Sequence, residues 1–270
     1  MKRFGRNYTA IFILATALGA CQHDGSGNGR ANNNRSDDAL NLLRSAVKQY
    51  PDSMRLRAQL ASRLRENGDL SGALRETGII LAKDSLNPGI LQFQAELLLD
   101  RKDTAEAIRA FEKIARANPE SETLYSLAYL YAKTGNSVAL RLCDTMIARM
   151  SRQHPKGDPY FIRGVYHLRT GNEDLALKSF NQSINIDHTM MQAYTEKGKL
   201  LFRRKQYKEA HSVFRLAATV SNTYADAYYW QGKCQQALGN NSEAADLYRK
   251  ALALDPELTE AGKALKELKN

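Results

Sequence analysis

The chain has 270 residues, 43% of them hydrophobic and 25% charged, a composition that excludes a disordered chain and permits a sizeable buried core. Six prolines, one tryptophan and an abundance of Ala, Leu, Lys, Arg and Glu favour helices throughout. Lys2, Arg3 and Arg6 supply three of the +10 net charges, so a chain without them carries +7 and suits acidic partners or anionic surfaces.

Those three cations precede an apolar run from Ala10 to Leu18, and the small residues Gly19 and Ala20 follow. This is the order of a cleaved secretory signal, expected here over residues 1–20. The run is too short to span a bilayer, which needs roughly 20 apolar residues. Leu18-Gly19-Ala20-Cys21 resembles the bacterial lipobox, in which the cysteine is acylated and becomes the new N-terminus. The resemblance implies lipidation at Cys21 and a protein held in the bacterial cell envelope. Two or three acyl chains, at about 0.8 kcal/mol per buried methylene, give a lasting anchor. Gln22 stands where an aspartate would act as an inner-membrane retention signal, so the resemblance points to the outer membrane. From Gln22 to Arg35 the chain is rich in Gly and Asn and lacks apolar periodicity, so residues 21–35 read as a lipidated cysteine and flexible tether. Such a coil reaches roughly 20 Å.

A capped helix is expected from about Asp37 to Tyr50, closed by Pro51, and after it the chain repeats itself. In the C-terminal half the period is 34 residues: Tyr160, Tyr194 and Tyr228; Gly164, Gly198 and Gly232; Ala176, Ala210 and Ala244; Phe180, Phe214 and Tyr248. Extended backwards, the frame gives six repeats near 54–87, 88–120, 121–156, 157–190, 191–224 and 225–258, then a capping helix over 259–270 with Ala261, Ala264, Leu265 and Leu268 at helical spacing. The first small position holds Ala61, Ala95, Ala128, Gly164, Gly198 and Gly232. The second holds alanine five times, with Leu140 the exception. Gly68, Gly135, Gly171 and Gly239 mark turns, and the prolines fall at repeat junctions, where a missing N–H donor does no harm. Arg57, Thr77 and Asp144 depart from the pattern, and about two extra residues lie near His154 to Gly157.

These residues resemble the tetratricopeptide repeat (TPR), a helical hairpin whose small positions let helices A and B, and successive hairpins, pack closely. The implied fold is all-α: a right-handed superhelical solenoid of residues 36–270, with six hairpins, an N-terminal half-repeat and a C-terminal cap.

Phosphate loops, nucleophile elbows and histidine pairs at metal spacing are missing, so no enzyme activity, cofactor, metal site or catalytic residue is expected. His154, His167, His188 and His211 scatter among different repeats. Cys143 and Cys234 lie three repeats apart, too far to bridge if hairpins stack about 10 Å apart, and are expected as buried or half-buried free thiols. The basic run Arg203, Arg204, Lys205 and Lys208 reads as a solvated turn and not as a nucleic-acid contact.

By resemblance, such solenoids bind an extended peptide or a partner helix on the concave face, met by helix A positions 2, 5, 9, 12 and 13. Here those positions select Tyr125, Tyr129, Lys133, Phe161, Arg169, Lys199, Phe202, Arg203, Tyr229 and Lys233. Aromatics interleave with cations, which suits a protein or peptide bearing apolar and acidic side chains. The carboxylate clamp of chaperone-binding members requires Lys and Asn where the first repeat has Ala58 and Ser62, so chaperone tails are not the expected ligand. The expected function is a membrane-anchored scaffold that assists an envelope complex; a spacer that self-associates without a groove ligand is the alternative.

Overall fold

The computed structural model describes residues 31–118, 120–150 and 155–268, with side chains placed from Asp38 onward except at Ser121. The signal segment and Cys21 lie outside the described residues. Among those described there are fourteen α-helices and no strand, the expected all-α solenoid. None of these helices is long and apolar enough to cross a membrane.

The first helix, α1 (Ala31–Gln49), begins inside the segment whose Gly/Asn-rich composition suggests a tether. Its apolar stripe, Leu40, Leu43 and Val47, packs on Leu60, Ala61 and Leu64 and covers the N-terminal end of the stack. Six hairpins follow: α2 (Met54–Glu66) with α3 (Leu70–Lys83), α4 (Pro88–Asp100) with α5 (Thr104–Ala117), α6 (Ser121–Thr134) with α7 (Val138–Arg149), α8 (Asp158–Arg169) with α9 (Glu173–Ile186), α10 (Met191–Arg203) with α11 (Tyr207–Val220), and α12 (Ala225–Ala237) with α13 (Asn241–Leu254). The last helix, α14 (Thr259–Glu267), closes the other end, with Ala264, Leu265 and Leu268 against Ala244 and Tyr248. Local capping starts the early helices: Ser53, Asp69 and Asn87 each accept a backbone N–H three residues on, and Pro88 occupies the first turn of α4, where no donor is needed.

The small residues of the repeat answer to large ones across each hairpin. A Cβ on Gly232 would come within 2.6 Å of the Tyr248 ring, and one on Gly164 or Gly198 would collide with Phe180 or Phe214. The aromatic side chain of helix B thus fills the space that glycine leaves on helix A. Ala176, Ala210 and Ala244 are fully buried where helix B meets its neighbours.

The third repeat departs from the 34-residue frame. That frame places Leu140 and Asp144 inside, whereas the buried residues of α7 are Ala139 and Cys143, both wholly inaccessible. The buried alanine follows the left-handed residue by four residues here, Gly135 to Ala139, against five in the other hairpins, as from Gly68 to Ala73, so α7 comes into register one position early. Leu140 is half-buried and Asp144 faces solvent, where it pairs with Arg163. The missing alanine is therefore present, one residue upstream.

In the first repeat the two polar departures are accommodated inside the hairpin. Arg57 Nη1 lies 2.6 Å from Glu76 Oε2 with both side chains largely buried, and Arg57 Nε donates to the Pro51 carbonyl at 2.9 Å. Thr77, in the place of the aromatic, is fully buried and donates its hydroxyl to the Leu74 carbonyl. Cys143 and Cys234 are both free and buried.

All six A-to-B turns pass through a left-handed residue: Gly68, Gly135, Gly171 and Gly239 at φ between 73° and 85°, and Lys102 and Lys205 at φ 70° and 60°. The two lysines occupy a conformation that costs a side-chain-bearing residue about 1–2 kcal/mol.

Candidate functional site: the inner face of repeats three to six

With 100° per residue, positions 2, 5, 6, 9, 12 and 13 of each A helix share one face. On α6 this face carries Tyr125 and Tyr129, half-buried and stacked at 6.2 Å with their planes 6° apart. Lys133, one turn on and exposed, holds its ammonium 5.6 Å from the Tyr129 ring centroid. Tyr229 on α12 packs edge-on against Trp230 at 5.5 Å, and Phe202 on α10 meets the same indole at 5.6 Å. Lys199 Nζ lies 5.5 Å from the centre of that indole. Two cations are thus already seated over aromatic faces, at about 0.5–1 kcal/mol each for exposed pairs.

Arg169 is exposed and its Nε donates to the Lys133 carbonyl at 3.2 Å, joining the ends of α6 and α8. Arg203 is exposed, 3.6 Å from Glu173, which also takes a 2.7 Å bond from Arg204. Lys233 is half-buried on α12.

Phe161 leaves the set of groove residues. It is only 2% exposed, with its ring 6.1 Å from Tyr129 and 6.0 Å from Phe180. The cause is that α6 packs directly on α8, covering the start of that helix's inner face and turning a groove position into core. The predicted residues therefore form two clusters, one on α6 and one across α10 and α12, with Arg169 between them.

Two contributors escape the five-position rule, and both sit at position 6. Trp230 organises the α10–α12 cluster, and Glu196 supplies a carboxylate in the middle of the face. Burial, then the charge of Glu196, pushes the Tyr129 hydroxyl up to about 12. Tyr224, whose hydroxyl lies 2.8 Å from Thr195 Oγ1, is also pushed up to about 12 by burial first, with Asp226 and Glu196 adding to it. The signal that could have found both residues is helical periodicity, since at 100° per residue position 6 falls about 20° beyond position 13, at the edge of the same face.

Other features offer less. Two open depressions, of about 770 and 400 Å3, lie along the hairpin turns near Lys102 and Arg204 and not on the inner face. His167 Nδ1 is buried without a hydrogen-bond partner, and burial followed by Arg163 holds this imidazole below its ordinary pKa. Among the described residues no three His, Cys, Asp or Glu side chains group as a metal site would require.

This geometry, helical hairpins stacked through small residues with half-exposed aromatics left on the A helices, defines a repeat scaffold. Tetratricopeptide-repeat family descriptions match residues 26–85, 94–139 and 225–258, together more than half of the chain, and the protein belongs to that family. Among curated proteins it is 28% identical over 166 residues to RNA polymerase II-associated protein 3 of Xenopus tropicalis, covering 62% of this chain and 23% of that one. It is 26% identical over 216 residues to the DnaJ protein P58IPK homolog of Arabidopsis thaliana, covering 74% of this chain and 44% of that one. The chain thus spans less than half the length of either relative. Among solved structures, a tetratricopeptide repeat protein from Parabacteroides merdae superposes with a TM-score of 0.65 at 22% identity, covering 89% of this chain and 94% of that one. PilW, a type IV pilus biogenesis factor, superposes at 0.58 and 19% identity, covering 78% of this chain and 98% of its own. Both likenesses are of fold.

Proposed function

We propose that this protein is a lipid-anchored scaffold of the bacterial envelope that holds a partner protein on the inner face of repeats three to six. The observation that carries the reading is the array of half-exposed aromatics with Lys133 and Lys199 held over their faces. Rigid aromatic surface gives contact area at little entropic cost, and cations already in place orient carboxylates, so the favoured ligand carries apolar and acidic side chains. The lipobox-like Leu18 to Cys21 supports anchoring through Cys21, and Gln22 supports the outer membrane as its location.

Two experiments test the two halves of this reading. Lys199→Glu combined with Arg203→Glu should leave thermal melting nearly unchanged while weakening capture of partners from an envelope lysate and reducing its salt sensitivity. Equal capture by the native and charge-reversed proteins would move the binding surface elsewhere. Cys21→Ala should abolish incorporation of labelled palmitate and either release the protein from membranes or leave an uncleaved precursor. Continued labelling and membrane fractionation would end the lipoprotein reading.

A further inference from the structure

The N-terminal end of the solenoid is half a hairpin. In the 34-residue frame α1 is a helix B, with Ala39 standing where Ala73, Ala107, Ala176, Ala210 and Ala244 stand in later repeats, and among the described residues it is the first element. Its apolar side chains, from Leu42 round to Leu40, span about 160° at 100° per residue, more than the stripe of about 100° that one neighbour covers. Leu40, Leu43 and Val47 rest on α2, while Ala39, Leu42, Ala46 and Tyr50 extend the arc past it. Leu42 is 72% exposed, whereas Glu76, Ala110, Ser179 and Val213, at the same place in repeats one, two, four and five, are at most 9% exposed. Ala39 is half-buried where the later alanines are wholly buried.

The chain offers little to cover this stripe. Gln22 to Arg30, just ahead of α1, holds no apolar side chain. At the opposite end α14 carries an exposed Lys266 at the position that is Ala or Gly in all six hairpins, which closes that end to a further helix B.

The hairpins themselves show what fits. In the sixth, Gly232 of α12 lies against the Tyr248 ring and the Ala244 carbonyl, the places that Leu43 and Ala39 hold on α1. The covering helix sets one long side chain four residues before the small one and another three after it, as in Tyr228, Gly232 and Gln235 or Leu91, Ala95 and Leu98. The open stripe of α1 repeats this spacing in Leu42, Ala46 and Gln49. One face thus carries both halves of the hairpin pattern: Ala46 of one copy would oppose Ala39 and Leu43 of another, and a two-fold axis returns the same contact. That register also sets Asp38 opposite Gln49, an acceptor against a donor. An anionic lipid surface suits the stripe less, because Arg44 and Lys48 project from the opposite side of α1.

We infer that α1 is the interface of a two-fold homodimer, each copy's α1 serving as the missing helix A of the other in an antiparallel pair. This contact is independent of the inner face. With only the N-terminal end open, association closes at two copies. From Asp38 to Tyr50 the stripe is about 20 Å long and about 10 Å wide, short of a standard interface, which sets Kd at about 10–100 µM.

Sedimentation velocity of the full mature chain bearing Cys21→Ala, which removes any acyl chain, should show a dimer across that concentration range. Leu42→Glu should raise Kd at least about tenfold with melting unchanged, since the side chain is largely free in the monomer. Leu216→Glu, the same change at an exposed leucine of α11, should leave Kd unaltered. A short bismaleimide should link Leu42→Cys into dimers and leave Lys48→Cys monomeric, with Cys143 and Cys234 buried out of reach. A monomer throughout, an equal effect of Leu216→Glu, or equal crosslinking at both positions would overturn the interface. Loss of the dimer on Lys199→Glu with Arg203→Glu would instead seat the second copy on the inner face. Pelleting of a monomer with phosphatidylglycerol vesicles, abolished by Leu42→Glu, would give the stripe to lipid and equally end the dimer.

Discussion

Replacing Gly232 by alanine sets two effects of known size against each other. Alanine is worth about 1 kcal/mol more than glycine in a helix interior. Against that, the new Cβ would lie 2.6 and 2.7 Å from two ring carbons of Tyr248 and 3.2 Å from the Ala244 carbonyl, where ordinary contact begins at 3.4 Å. The ring cannot swing aside: Tyr248 is wholly buried and its hydroxyl is bonded to Gln236 Oε1 at 2.7 Å. The hairpin must therefore open by roughly 0.8 Å, an overpacking cost of about 1–3 kcal/mol. A net loss of about 1–2 kcal/mol is expected. Gly78 on α3 is the control, because a Cβ there meets nothing within 4 Å, and Gly78→Ala should stabilise by about 0.5–1 kcal/mol. Urea denaturation followed by circular dichroism measures both. Tyr248→Leu on its own leaves a cavity, but combined with Gly232→Ala it should cost less than the sum of the two changes by at least about 0.5 kcal/mol. If Gly232→Ala stabilises as Gly78→Ala does, or the double substitution is merely additive, the close approach does not govern the hairpin.

Three further outcomes are expected. Lys205→Gly relieves a left-handed side-chain-bearing residue at φ 60° while adding freedom to the unfolded chain, for a net gain of about 0.5–1 kcal/mol in the same denaturation assay; a loss would mean the lysine makes a contact worth more than the strain. Ala139→Leu should destabilise by about 1–3 kcal/mol while Asp144→Ala stays within about 0.5 kcal/mol, and the opposite order would restore the unshifted frame of the third repeat. Burial pushes the Cys143 and Cys234 thiols up to about 12, so iodoacetamide at pH 8 should label neither until denaturant is added. The same shift, shared by Tyr129 and Tyr224, has a definite sign for stability: the unfolded chain loses these protons first, so stability is intact below about pH 9 and falls as pH rises toward 12. Rapid labelling of the native protein, or a flat stability profile over that alkaline range, would contradict the burial assigned to these groups.

The fold was legible because a solenoid writes the same packing problem into the sequence several times. Gly164, Gly198 and Gly232 recur at one interval, as do Phe180, Phe214 and Tyr248, and each glycine meets its aromatic across the hairpin. Interval alone could not reveal this pairing, but it located both partners. The same reliance on a fixed interval misplaced α7. One residue fewer between the left-handed Gly135 and the buried alanine leaves the hairpin intact yet rotates helix B by about 100°, which moves Leu140 and Asp144 off the buried stripe and brings Ala139 and Cys143 onto it. Lys102 and Lys205 hid two turns for a different reason. Glycine is the favoured residue at a left-handed position but not the obligatory one, and a strong enough hairpin can hold a lysine there.

The inner face was legible only in part, because position within a repeat sets direction and not exposure. Phe161 and Tyr229 occupy the same position in different repeats; the first is core because α6 lies directly on α8, and the second stays half-exposed beside Trp230. What decides between them is the local separation of neighbouring A helices, a property of three hairpins together that no single repeat encodes. The charges followed a similar logic. Read as composition, Lys199, Arg203 and Lys233 pointed to an acidic ligand. Placed along the helices, acids precede cations on each of these inner faces, and Glu196 stands three residues before Lys199 on α10.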